Sequence, residues 1–330
     1  MDLLCAQYFI LNGQLGSLMI IILLEIIPIF VLILLGFGLM RFSIPSLEFW
    51  HLNDKLVYWV LIPSLLFNRT SRIELSADLI GKYALVIYSA FFAVVILAIV
   101  VSKLFKWSGP SMTSVMQGAS RHNTFIVLAI AESLYGSSGL STAALGSAIL
   151  IPITNIAMVI LMVWTLSEGQ KLHKLFLSTL RELARNPLII AVLLGISFNL
   201  LGWQNVPVLH ETTRLLGAAA LPIVLLCVGA NIKVKNFTSS WLPVVVSCSL
   251  KMMTFPAIIF CACVYFELSA VQTSIAILFG AVPTAAGGYT LAKQLGGDAP
   301  LMATIVVVQT GISIITIPIT VALVSLYFGV

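Results

Sequence analysis

Charge is scarce in this chain. Of its 330 residues, 17 are Lys or Arg and 12 are Asp or Glu, so 9% are charged, against about 25% in soluble proteins. That deficit excludes a water-soluble fold. The composition is 60% hydrophobic, and many uncharged stretches reach the roughly 20 apolar residues that a bilayer-spanning helix needs. The formal charge of +5 fits loops that orient spans, and binding to nucleic acid is not expected.

Other absences narrow the chemistry. Residues 1–17 contain Asp2 but no Lys or Arg, whereas a secretory leader opens with a positive region, so the first apolar stretch is expected to be retained. Cys5, Cys227, Cys248, Cys261 and Cys263 form no CxxC and read as small packing residues. There is no HExxH, no GxSxG and no Walker lysine. Asp2, Asp54, Asp78 and Asp298 all fall near loops, which leaves no pair for an intramembrane aspartyl protease. No enzyme activity, metal site or cofactor is expected.

What is present is apolar sequence cut into ten segments. The first five run near 18–40, 54–68, 83–102, 111–135 and 140–166, the second five near 187–202, 212–231, 241–266, 270–293 and 300–328. Eleven cations, Arg41, Lys55, Lys103, Lys106, Lys171, Lys174, Arg181, Arg185, Lys233, Lys235 and Lys293, fall on one side of this alternation. Four, Arg69, Arg72, Lys82 and Arg214, fall on the other, and Arg121 and Lys251 lie inside spans. Positive-inside bias then puts both termini outside the cytoplasm of a cell inner (plasma) membrane protein. Lys171–Arg185 places Leu172, Phe176, Leu180 and Leu183 on one helical face with cations opposite, which reads as a short cytoplasmic surface helix with a solvated, lipid-facing basic side. The domains follow as 1–168, a linker at 169–186, and 187–330.

Prolines suggest duplication. Leu61-Ile62-Pro63-Ser64-Leu65-Leu66 and Ala220-Leu221-Pro222-Ile223-Val224-Leu225 put Pro63 and Pro222 at an offset of 222 − 63 = 159, and Ile-Pro-Ile-Thr recurs with Pro152 and Pro318 at 318 − 152 = 166. Because each copy has five spans, the second enters from the opposite side. The expected architecture is ten transmembrane helices as two inverted five-helix repeats, an arrangement typical of secondary transporters.

The fourth segment of each copy carries polar or helix-breaking residues at mid-membrane. Ser120-Arg121-His122-Asn123-Thr124 stands in one, and Pro283-Thr284-Ala285-Ala286-Gly287-Gly288-Tyr289 in the other. Proline removes a helical donor and paired glycines free the backbone, so the fourth and ninth helices are expected to be broken there. Irregular backbone at that depth survives only against protein or a wet cavity. Two half-helix N-termini meeting at the midplane favour an anion, and Arg121 adds a full cation. Left unpaired it would cost at least about 2.5 kcal/mol. Its partner is therefore either an anionic substrate or a permanent one such as Glu25, Glu132 or freed carbonyls. His122 either carries a coupling proton or bonds structurally. Asn123 and Thr124 either donate to substrate or satisfy the broken backbone. Lys251 is expected to line the cavity or to pair with Glu25. Asn155 and Gln309, in the last span of each copy, read as helix-bridging support, and Pro63, Pro222, Pro152 and Pro318 as kinks.

At these residues the chain resembles the auxin efflux carrier family. The resemblance rests on Leu52-Asn53 through Pro63-Ser64-Leu65-Leu66-Phe67, then Asn186-Pro187-Leu188-Ile189-Ile190-Ala191 with Leu193-Leu194-Gly195. It continues through Leu216-Gly217, Pro222 and Gly229-Ala230, and ends on Val282-Pro283-Thr284-Ala285, Tyr289, Leu291-Ala292 and Gly296-Gly297-Asp298. It implies a fold of the bile-acid-symporter type, with crossover residues at Arg121–Thr124 and Pro283–Tyr289, and ATP-independent movement of small organic anions. The first crossover departs from the proline-marked plant version, and the long plant loop is absent. Both point away from auxin and toward a bacterial carrier with its substrate open; the resemblance implies dicarboxylates such as malonate, or related carboxylates or amino acids. Substrate contacts are expected from Arg121, His122, Asn123, Thr124, Lys251, Pro283, Thr284, Ala285, Gly287, Gly288 and Tyr289. The expected partners are a small anion, lipid and, as one option, a second copy in a homodimer. Proton coupling is favoured over sodium, whose site would need more carboxylate and other oxygen ligands. A sodium symporter or cation antiporter of the same fold and a non-transporting membrane sensor stand as alternatives.

Overall fold

The computed structural model describes residues 2–72, 77–166, 180–181, 184–232 and 240–328, with side chains described from residue 19 onward except at 77–79. Among the described residues every regular element is helical. The first half holds α1 (Asp2–Arg41), α2 (Leu47–Leu56), α3 (Ile62–Thr70), α4 (Ala77–Leu104), α5 (Gly109–Ser120) and α6 (Thr124–Leu166). The second holds α7 (Pro187–Leu200), α8 (Pro207–Ala230), α9 (Trp241–Ser249), α10 (Phe255–Tyr265), α11 (Ala270–Ala281), α12 (Gly287–Leu295) and α13 (Ala299–Phe328).

Among the described residues six stretches are long and apolar enough to cross a membrane: 19–41, 80–104, 109–166, 207–230, 241–265 and 299–328. The chain is thus a multi-pass helical membrane protein. The ten expected segments do not all appear as long helices, because several are built from short pieces. Segments 111–135 and 140–166 share the 58-residue stretch 109–166, in which α6 is interrupted at Gly136 (φ 59°, ψ −147°). Segments 187–202 and 270–293 contain helices of 14 and 12 residues. Segment 54–68 starts earlier, at Leu47, and is divided by a π turn over Val57–Leu61. Most of the expected surface helix at 171–185 lies outside the described residues; Leu180 and Arg181 are helical.

Proline accounts for both π turns. Pro63 and Pro256 stand second in α3 and α10, each directly after a π segment, Val57–Leu61 and Leu250–Thr254. With no N–H to give to the carbonyl four residues back, the ladder widens, and Ile62 and Phe255 donate instead to Val57 and Leu250, five residues away. Pro152, Pro222 and Pro318 stand inside α6, α8 and α13.

Local geometry recurs between the halves beyond the prolines. Ser108 and Ser269, 269 − 108 = 161 residues apart, are extended N-caps of the 12-residue helices α5 and α11. Two residues before each cap, Lys106 (φ 55°) and Glu267 (φ 57°) adopt the left-handed conformation. At the other end Arg121 (φ −70°, ψ 157°) and Val282 (φ −68°, ψ 153°) stop both helices in matching extended geometry. Helix crossings recur with partners exchanged. A methyl on Gly36 of α1 would collide with the Leu226 carbonyl of α8, and one on Gly195 of α7 would meet the Phe67 carbonyl of α3; 195 − 36 and 226 − 67 are both 159.

Candidate functional site

The matching ends of α5 and α11 bring the two interruptions together. The Asn123 N–H donates to the Pro283 carbonyl at 2.9 Å, so the irregular segments touch directly. Gln309 of α13 fastens the second break. Its Oε1 accepts from the Thr284 N–H at 2.9 Å, and its Nε2 donates to the Gly118 carbonyl at 2.9 Å. Thr284 Oγ1 donates to the Gln117 carbonyl at 3.4 Å. Gln309 has the bridging position its span suggested, holding backbone groups from both breaks.

Asn123 changes the expected picture of two open helix N-termini. Its Oδ1 accepts from the N–H groups of Phe125 (3.1 Å) and Ile126 (3.3 Å), capping α6 from within. Two N–H groups of that helix end are thus already met, and Thr124 opens the helix. At α12 the first turn is tight, with Gly288 and Tyr289 N–H groups donating to the Ala285 and Ala286 carbonyls at 3.0 Å. Gly287 and Gly288 lie beside Arg121: a Cβ on Gly287 would stand an ordinary 3.8 Å from its Nη2, while one on Gly288 would collide with Met302 Cε.

Arg121 is the centre of the arrangement. Its Nη2 donates to Asn155 Oδ1 at 3.1 Å, while Nε and Nη1 are buried and meet no acceptor. The carboxylates expected as permanent partners are engaged elsewhere. Glu132 pairs with Arg69 at 3.1 Å, and the Glu25 carboxylate accepts from Ser133 at 3.3 Å. Asn155 is thus a direct partner of the guanidinium rather than only a bridge between helices. An amide leaves the positive charge in place. A buried donor without a partner costs about 1–3 kcal/mol, and more when charged.

Lys251 departs from expectation. It neither pairs with Glu25 nor lines the cavity beside Arg121. Fully buried, it donates to the Phe279 carbonyl at 2.8 Å and lies 4.8 Å from the Phe255 ring centroid. The last carbonyls of α11 have no intrahelical donor, and the negative helix end there suits an ammonium. The edge of the Phe279 ring meets His122, whose centroid is 5.2 Å away, and both His122 nitrogens are buried without a partner.

Arg121, Asn155 and Gly287 line a cavity of about 990 Å³ together with Tyr58, Trp59, Asn186, Thr290, Gln294 and two further arginines, Arg181 and Arg185. Among the described residues no carboxylate lines it. A smaller cavity of about 260 Å³ adjoins at Gly287 and Thr290 and reaches Ala286 and Tyr289. Pro283, Thr284 and Ala285 sit at the touching breaks, outside these linings. Sequence reasoning missed Tyr58, Trp59 and the arginine pair. Gly287, Thr290 and Gln294 recur at helical spacing on α12, so one wall was legible as a helix face.

Comparison with protein-family models matches residues 21–321 to the family described as membrane transport protein. A search of curated proteins finds no match. Members of the matched family are membrane transporters, not enzymes. With the match covering all but the ends, the chain belongs to the auxin efflux carrier family of membrane transport proteins.

Proposed function

We propose that the protein is a secondary carrier of small organic anions, malonate-like dicarboxylates among them, working by alternating access in the cell membrane. In this reading the chain crosses the bilayer ten times. Residues 1–168 and 187–330 form two repeats, the second inverted, and both termini are extracytoplasmic. The observation that carries the proposal is the Arg121 guanidinium, with two buried donors unmet beside a cavity that no carboxylate lines among the described residues. A substrate carboxylate entering from that cavity would meet a guanidinium whose only protein acceptor among the described residues is the neutral Asn155 amide, and charge-assisted bonds to such a group are the strong ones.

The cavity reaches Arg185 and Pro187, on the side rich in cations and hence the cytoplasmic side by the positive-inside rule. Toward the other side, α6 is tied to α3 by Arg69–Glu132 and to α1 by Ser133–Glu25. Alternation then requires those outer ties to part as the inner cavity closes. His122 is the titratable group in the break, with Lys251 and Arg121 as its charged neighbours, and it is assigned the coupling proton.

Purified protein in liposomes is expected to take up labelled malonate under an imposed pH gradient, without a sodium requirement. Arg121→Ala removes about 3 kcal/mol of charged hydrogen bonding, which corresponds to a loss of about 100-fold. Normal malonate flux by a folded Arg121→Ala protein would remove Arg121 from the site.

A further inference from the structure

Arg181 and Arg185 stand four residues apart, one helical turn, immediately before α7, and both are exposed. The amphipathic pattern assigned this basic face to lipid and solvent. Instead both side chains form part of the wall of the Arg121 cavity. Among the described residues the other charged lining group is Arg121 itself, and the remainder are neutral, with the amides of Asn155, Asn186 and Gln294 among them. Three cations facing one aqueous recess, with low-dielectric walls around them, focus positive potential into it.

We infer that Arg181 and Arg185 form an anion-gathering vestibule at the cytoplasmic mouth, which concentrates di- and tricarboxylates ahead of the Arg121 site and repels cations. Attraction grows with ligand charge, so dicarboxylates gain more than monocarboxylates. Because the pair is solvated, the effect acts on encounter more than on final affinity, and salt suppresses it. The inference rests on the proposed anion site for its biological meaning, while its electrostatics stand apart from any substrate.

The test places a single cysteine at Gln294, as Gln294→Cys in full-length protein whose other five cysteines are replaced by alanine. Its modification rates are compared for a sulfonate-bearing and a trimethylammonium-bearing methanethiosulfonate. The sulfonate-to-ammonium rate ratio is expected to exceed that of free cysteine, and to fall about tenfold in the Arg181→Gln/Arg185→Gln double variant, the low end for focused fields. The ratio should also collapse in 1 M salt, where the screening length is about 3 Å. This salt arm needs no arginine variant and decides the matter if the double variant fails to fold. A ratio indifferent to salt, or to the double substitution in folded protein, overturns the vestibule. Absence of malonate flux with the ratio intact would instead sink the malonate reading and leave the vestibule standing.

Discussion

The breaks after α5 and α11 share one backbone geometry and carry different chemistry. Both follow 12-residue helices with serine caps, and both leave the helix through a residue near φ −70° and ψ 155°. The first then presents Arg121, His122 and Asn123, and the second Pro283, Thr284 and small residues. The first break is held from within, by the Asn123 side chain on α6. The second is held from outside, by Gln309 of α13. Matching geometry thus accompanies two interruptions in contact, with the charge on one and small residues beside it on the other.

Removing the outside support should do the most damage. Gln309→Ala strips the partner from the Thr284 N–H and the donor from the Gly118 carbonyl. At about 1–3 kcal/mol for each buried group left unmet, the expected loss is roughly 2–4 kcal/mol, read as a drop of several degrees in thermal midpoint in detergent. An unchanged midpoint would mean that Gln309 does not hold the second break. Asn123→Ala should cost less, about 1 kcal/mol as for other N-caps, and Asn123→Ser should restore most of it. Equal midpoints for the alanine and serine variants would dismiss the internal cap. Gly287→Ala should be smallest. A methyl there meets Arg121 Nη2 at an ordinary 3.8 Å, and surface changes of this kind stay within about 0.5 kcal/mol. A larger loss would show that the guanidinium has no slack on that side.

Much of this comparison was legible in the sequence because both breaks interrupt apolar runs with residues a lipid-facing helix does not hold. Pro283 with Gly287-Gly288 announced its break through backbone chemistry, and Arg121 announced the other through charge. What the sequence could not show was pairing across space. Asn155 lies 155 − 121 = 34 residues from Arg121, and nothing local selects it over Glu25 or Glu132. Lys251 was misread because its acceptor is a backbone carbonyl at a helix end, which no residue type advertises. The face of Arg181 and Arg185 was visible as amphipathicity, but periodicity gives a direction around a helix and not the body it faces. The segmented helices also escaped, since hydropathy sees apolar length and not the π turns before Pro63 and Pro256.

The central claim is that the crossover completes its hydrogen bonding with an acid from outside, and equilibrium binding of labelled malonate in detergent tests it without any requirement for transport. The native protein is expected to bind saturably, and Arg121→Ala, at unaltered thermal stability, to bind about 100-fold more weakly, in line with about 3 kcal/mol of lost charged hydrogen bonds. Equal malonate affinity in the two proteins would contradict the assignment of Arg121 as the group that receives the anion.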